Sequence, residues 1–214
     1  MGHDPDNFIA GLVEGLEPVR PMRQREGVGM TLLAMLIGVA GMVLGFGMRA
    51  DLAALRPDAM FLLSSGLFLV LALASAWVAL DMARPFVGGH REGWGWTALM
   101  AAVLPLAALV EWAADWMGGS PAMPDGDGWH CMAYGLGWGL VTALALVLWL
   151  RRGAPSRPQS AGMLAGVAAG SAGIFAVTLY CPHNDLLHIG FWHGLSVVLA
   201  GIAGRLIIPS LVRW

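Results

Sequence analysis

The chain has 214 residues, of which 57% are hydrophobic and only 12% charged, about half the ~25% charge content of a soluble globular domain. Its mean hydropathy is +0.68, the formal net charge is −2, and all 12 basic residues are arginine. With no basic stripe on a polar face, direct nucleic-acid binding is excluded, and water is excluded as the main solvent; the lipid bilayer takes its place.

The first 26 residues are polar, with one apolar stripe. Asp4 followed by Pro5 reads as a helix start and Pro18 as its stop. Between them Phe8, Ile9, Leu12, Val13 and Leu16 recur at helical spacing on one face, while Asp6, Glu14 and Glu17 fall elsewhere on the wheel. A lone helix this short does not hold its shape in water, so the stripe needs a cover. Helices that lie on membranes carry Lys or Arg on the polar face to meet anionic lipid. This one is acidic before Arg20, and a cytoplasmic protein groove that takes the apolar anchors suits it better.

Six apolar runs follow, each reaching the length of about 20 residues that a bilayer-spanning helix needs. They cover Gly27–Gly47, Ala59–Leu80, Gly95–Met117, Cys131–Leu150, Ser160–Tyr180 and His188–Ile208. The first is expected to be retained: the preceding segment is too long and too acidic for a signal-peptide n-region, and no small-residue cleavage site follows. In the first span Gly41 and Gly45, and in the fifth Gly162, Gly166 and Gly170, stand four apart, a spacing that lets helix backbones approach closely within one bundle. Pro105 in the third span reads as a kink. Glu111 and Asp115, also four apart near the end of that span, form a polar pair that needs partners at such depth, and the histidines beyond it are the candidates. The Gly118–His130 connector, GGSPAMPDGDGWH, is rich in turn residues and has no apolar core of its own. The expected architecture is all-α and polytopic: residues 1–26 a cytoplasmic binding segment with one short amphipathic helix, and 27–214 a six-helix transmembrane domain with short loops.

Arginines orient the spans, because short loops rich in Lys or Arg stay on the cytoplasmic side. With the N-terminus inside, Arg20, Arg23, Arg25, Arg84, Arg91, Arg151, Arg152, Arg157, Arg205 and Arg213 fall in cytoplasmic segments and only Arg49 and Arg56 outside. Both termini are then cytoplasmic. Trp94, Trp96, Trp112, Trp116, Trp129, Trp149 and Trp214 fall near span ends, where amphipathic rings favour the interface.

Cys131 opens the fourth span and Cys181 follows the fifth, so both thiols face outward. The short linker RRGAPSRPQ makes these spans an antiparallel hairpin, and arms of equal length bring the cysteines to one height, within reach of the Cα separation under about 7 Å that a disulfide requires. A structural disulfide is one reading. The other is a stress sensor, redox-active or metal-binding, because His130, His183, His188 and His193 lie at the same end and thiolate with imidazole suits soft or borderline metal ions. There is no CxxC, and HC followed by CPH matches no standard zinc module, which favours redox chemistry over metal ligation. No cofactor is expected beyond such an ion.

Five phrases in order, LEPVRPMR before the first span, RADLAAL after it, the cysteine opening the fourth, RRGAPSRP between the fourth and fifth, and CPHNDLLHIGFWHGL at the last, resemble NrsF-type membrane anti-sigma factors over nearly the whole chain. The resemblance implies a non-enzymatic regulator in the bacterial inner membrane. Its cytoplasmic N-terminal segment would hold an extracytoplasmic-function sigma factor inactive, and the outer cysteines, here Cys131 and Cys181, would serve in the response to oxidant or heavy-metal stress. The HxxxCxxC pattern of zinc anti-sigma factors is absent from the tail. Two other functions fit less well. A membrane thiol oxidoreductase would want a closely spaced cysteine pair and a redox cofactor, and a small metal-handling transporter would want polar residues through the bilayer rather than at one end.

Overall fold

The computed structural model describes residues 5–14, 16, 22–84, 94–119, 126 and 128–212. Asp4, Glu17, Pro18, Arg20, Arg91, Arg213, Trp214, the side chains of Asp6 and Trp94, and most of the Gly118–His130 connector lie outside the description.

Helices α1 (Pro5–Val13), α2 (Gln24–Phe46), α3 (Ala50–Ala53), α4 (Ala59–Met82), α5 (Trp94–Met117), α6 (Gly128–Arg152) and α7 (Pro158–Thr178) follow one another, and a last rod runs as α8 (Leu186–His188), a π turn (Ile189–Gly194) and α9 (Leu195–Leu211). Six of these units are long and apolar enough to cross a membrane: α2, α4, α5, α6, α7 and the Leu186–Leu211 rod. The expected spans recur with ends shifted by a few residues, and α2 begins at Gln24, inside the segment read as tail. At α1 the helix stops at Val13, so Leu16 lies beyond the helical stripe rather than on it. Glycine at 15 and proline at 18 in the sequence make continuation unfavourable.

Helix α7 is the centre of the bundle and is buried along nearly its whole length. Its small residues permit this. A Cβ on Gly162 would come within 2.5 Å of the Gly204 carbonyl oxygen of α9, and one on Gly139 of α6 within 2.7 Å of the Ala169 carbonyl oxygen. The four-residue glycine spacing in α7 therefore serves packing inside one chain. In α2 the same spacing is half used: Gly41 lies against the Trp138 ring, while Gly45 meets nothing. Several buried hydroxyls return to the carbonyls of their own helix, as from Thr31 to Gly27 at 2.8 Å and Ser65 to Phe61 at 2.6 Å, and these need no partner across the bundle. Large apolar side chains point the other way: Leu33, Leu36, Leu63, Val70, Leu106, Val110, Leu140 and Leu206 are all exposed. Small residues inside and large apolar ones outside is a pattern suited to lipid.

The rods alternate in direction. At one end Leu80, Trp149, Ala161, Ile208 and Val212 share a core cluster, Ala154 N–H donates to the Ala83 carbonyl at 2.9 Å, and Arg84, Arg151, Arg152 and Arg157 cluster in the neighbouring chain ends. Trp149, near the end of α6, turns its ring into the bundle: it is buried, with Gly27 against the ring and its indole N–H donating to the Leu80 carbonyl at 3.3 Å. Trp96, Trp116 and Trp129 are exposed. The opposite end carries both cysteines.

Candidate functional site at the cysteine end

Cys131 lies in the first turn of α6, and Cys181 lies just beyond the end of α7. The hairpin brings the two thiols to 3.5 Å between sulfur atoms, with no disulfide between them. They are buried in an apolar cluster with Met42, Ala176 and Val177, walled by Val39, Tyr134, Trp138 and Tyr180. Phe46 closes the wall, its ring centroid 4.6 Å from Tyr134 and 5.7 Å from Tyr180.

Two histidines of the last rod complete the group. His188 Nε2 is 3.4 Å from Cys181 Sγ, and the ligand atoms of Cys131, Cys181, His188 and His193 all lie within 4.8 Å of one another. The π turn makes this possible. Its hydrogen bonds close over five residues rather than four, so residues five apart come over one another. In a regular helix His188 and His193 would point about 140° apart at 3.6 residues per turn; here their rings meet edge to face at 5.0 Å. The turn is seated on α5, with Gly190 against Leu104 and Ala108 and Gly194 against the Pro105 ring. Asp185 starts the rod by accepting the His188 backbone N–H at 2.7 Å.

Arg49 clamps the segment that carries Cys181. Its Nη1 donates to the Cys181 carbonyl at 2.9 Å and to Asn184 Oδ1 at 3.0 Å, its Nε donates to Asp51 Oδ1 at 2.6 Å, and its guanidinium lies 4.9 Å from the Phe61 ring centroid. The backbone N–H of Arg49 adds a bond to the Leu179 carbonyl at 3.0 Å. The Arg49 hydrogen bond holds the Asp51 carboxyl below the usual carboxylate range, against a smaller opposing effect of burial. At Cys181 the Cys131 thiol, and after it His188 and His193, hold the thiol well below its ordinary range, although burial pushes it up.

Of the six residues expected to offer metal ligands, four converge in this group. His183 joins a second, more exposed set with Asp185 and His188, its ring stacked on His188 at 4.7 Å. The His130 ring lies 3.8 Å from that of Trp129, tilted by 31°, and belongs to neither set. Glu111 is exposed and Asp115 partly buried on α5, and among the described residues neither pairs with a histidine. Phe8, Ile9, Leu12, Val13 and Leu16 are all exposed, uncovered by the rest of the chain. Arg49, Asp51, Asn184 and Asp185 were not anticipated as site residues; the available signal was an arginine on the arginine-poor side and two polar residues between CPH and LLH.

A family model described as "Negative regulator of sigma F" matches residues 12–214. The chain belongs to the NrsF family. Among curated NrsF proteins it is 28% identical to the anti-sigma-F factor NrsF of Caulobacter vibrioides (strain NA1000 / CB15N) over 98% of this chain and 97% of that one. It is 32% identical to the probable anti-sigma-F factor NrsF of Azospira oryzae (strain ATCC BAA-33 / DSM 13638 / PS) over 76% of each. No solved structure matches the chain.

Proposed function

We propose that this NrsF-family chain is a membrane-held anti-sigma factor of the bacterial inner membrane, with both termini cytoplasmic. Its N-terminal segment, residues 1–26, sequesters an extracytoplasmic-function sigma factor, and a change at Cys131 and Cys181 on the outer face releases it. The role is regulatory rather than catalytic. The observation that carries the reading is the uncovered apolar set Phe8, Ile9, Leu12, Val13 and Leu16 in a chain matched to negative regulators of a sigma factor along residues 12–214. An apolar stripe on a short helix is stable only against a partner, and a groove on a protein supplies one. Orientation follows from the arginine bias.

Sensing at the other end is simple chemistry. Two thiols at 3.5 Å close to a disulfide when a two-electron oxidant such as a peroxide takes two electrons and two protons and is reduced to water. Alternatively they bind a soft metal as thiolates. Either event acts at the junction of α6, α7 and the last rod. The α6–α7 hairpin continues to the arginines at the opposite end, where the tail enters α2, and that is the proposed path to the grip.

The test is co-purification of the tagged full chain in detergent. Wild type is expected to bring down a sigma factor, and Leu12→Asp with Leu16→Asp is expected to lose it while keeping its helicity, since a charge would have to be desolvated in an apolar groove. Retention of the partner by that double variant would overturn the docking mode, and absence of any sigma factor from wild type would overturn the function.

A further inference from the structure

We propose that Cys131, Cys181, His188 and His193 are the four ligands of a resident tetrahedral divalent ion of zinc-like chemistry. Its regulatory meaning rests on the anti-sigma reading, but its binding does not, and the two are tested apart.

The geometry is the first support. Bonds of about 2.3 Å to sulfur and about 2.0 Å to nitrogen at tetrahedral angles require ligand atoms about 3.3–3.8 Å apart. Two of the edges are 3.5 Å between the sulfurs and 3.4 Å from Cys181 Sγ to His188 Nε2, and no edge exceeds 4.8 Å. Closing the remaining edges asks for side-chain shifts of about 1 Å or less.

Ligand chemistry is the second. Two sulfurs and two imidazole nitrogens select zinc or cadmium over magnesium or calcium, which take oxygen ligands. On binding, two thiol protons leave to solvent and the neutral imidazoles keep theirs on the other nitrogen. The product, two thiolates and one dication, has no net charge, which is the form a buried site tolerates. All four side chains are buried, Cys181, His188 and His193 to within 1% of full burial.

The third support is the backbone. π turns are rare and concentrate at functional sites, and this one aligns the two histidines that a regular helix would separate. Around it stand groups suited to hold the ligands still: Asp185 at the start of the rod, His183 stacked on His188, and Arg49 on the Cys181 carbonyl. Metal-bound histidines depend on such partners for orientation. One site then serves both stresses. A two-electron oxidant that joins the sulfurs expels the ion, and a softer ion such as cadmium displaces it on the same thiolates.

The experiment uses the full chain in detergent, reduced and stripped with chelator, and titrated with cobalt(II). One equivalent is expected to produce the intense visible bands of tetrahedral cobalt and a near-ultraviolet thiolate charge-transfer band, both bleached by zinc. Cys131→Ser and Cys181→Ser are expected to lose most of the charge-transfer intensity. His193→Gln is expected to weaken binding by more than about tenfold, the least that loss of even an outer supporting group costs, whereas His130→Gln is expected to match wild type. Because a cysteine variant can misfold, a second measurement uses wild type alone: zinc is expected to block alkylation of both cysteines. Weak octahedral cobalt bands, no zinc protection of the thiols, or equal loss in His130→Gln and His193→Gln would each overturn the site. A tetrahedral spectrum from a protein that brings down no sigma factor would leave the site standing and remove the anti-sigma reading instead.

Discussion

Replacing Arg49 with Met removes the guanidinium that pins the Cys181 segment while keeping a long apolar stem over Phe61. Two of the lost hydrogen bonds reach that segment, at 2.9 Å to the Cys181 carbonyl and 3.0 Å to Asn184. A bond from a charged donor contributes about 1.5–3 kcal/mol, so losing both weakens the local hold by roughly 3 kcal/mol at the lower end. The Asp51 bond is left out of that sum, since Asp51 lies on the same loop as Arg49 and that bond does not reach the Cys181 segment. Cys181 is 1% exposed, so an alkylating reagent reaches it only through local opening, and with fast reclosing the rate follows the opening equilibrium. At 1.4 kcal/mol per factor of ten, the loss corresponds to about a 100-fold faster reaction at Cys181. The assay is mass spectrometry of the reduced, metal-free chain in detergent at increasing alkylation times, with exposed Arg56→Met as the control. Cys131, held inside α6, is expected to change far less. A wild-type rate at Cys181 would refute the clamp, and equal acceleration at both cysteines with loss of helicity would refute its local character.

At the centre of the bundle, Gly166→Leu drives a side chain into the Ala200 backbone of α9 and is expected to destabilise the chain by about 1–3 kcal/mol or more through overpacking, read as earlier loss of helicity in a detergent melt. An unchanged melt would mean that α7 and α9 separate without cost. Oxidant is expected to shift wild type on a non-reducing gel and to induce sigma-dependent transcription, and Cys131→Ser, Cys181→Ser and the double variant to do neither; normal induction in the double variant would reduce the pair to a staple. Reporter fusions check orientation: an outside-only reporter is expected to be silent at Pro155 and active at Asp125, and the reverse pattern would invert the topology.

The sequence by itself determined which stretches are long and apolar enough to span a bilayer, because a 20-residue window without charge carries that information locally. It determined that the glycines of α7 are for packing, because their period is that of a helix face. It also placed the two cysteines at one height, because Cys131 and Cys181 stand at equal distances from one short linker. Only the tertiary structure decided which histidines join them. His188 and His193 are five apart, a spacing that regular helical periodicity assigns to different faces, and the π turn that unites them depends on how Gly190 and Gly194 seat on Leu104, Pro105 and Ala108 of α5. His130, adjacent to a cysteine in sequence, goes instead to Trp129. Arg49, legible only as a topology marker, proved to be buried against a carbonyl 132 positions away. Trp149, legible as an interface ring, found its acceptor on Leu80. Periodicity and hydropathy report what each helix presents to its surroundings. Which distant polar group it meets depends on the mutual packing of the rods, where a buried donor must find an acceptor wherever the fold supplies one.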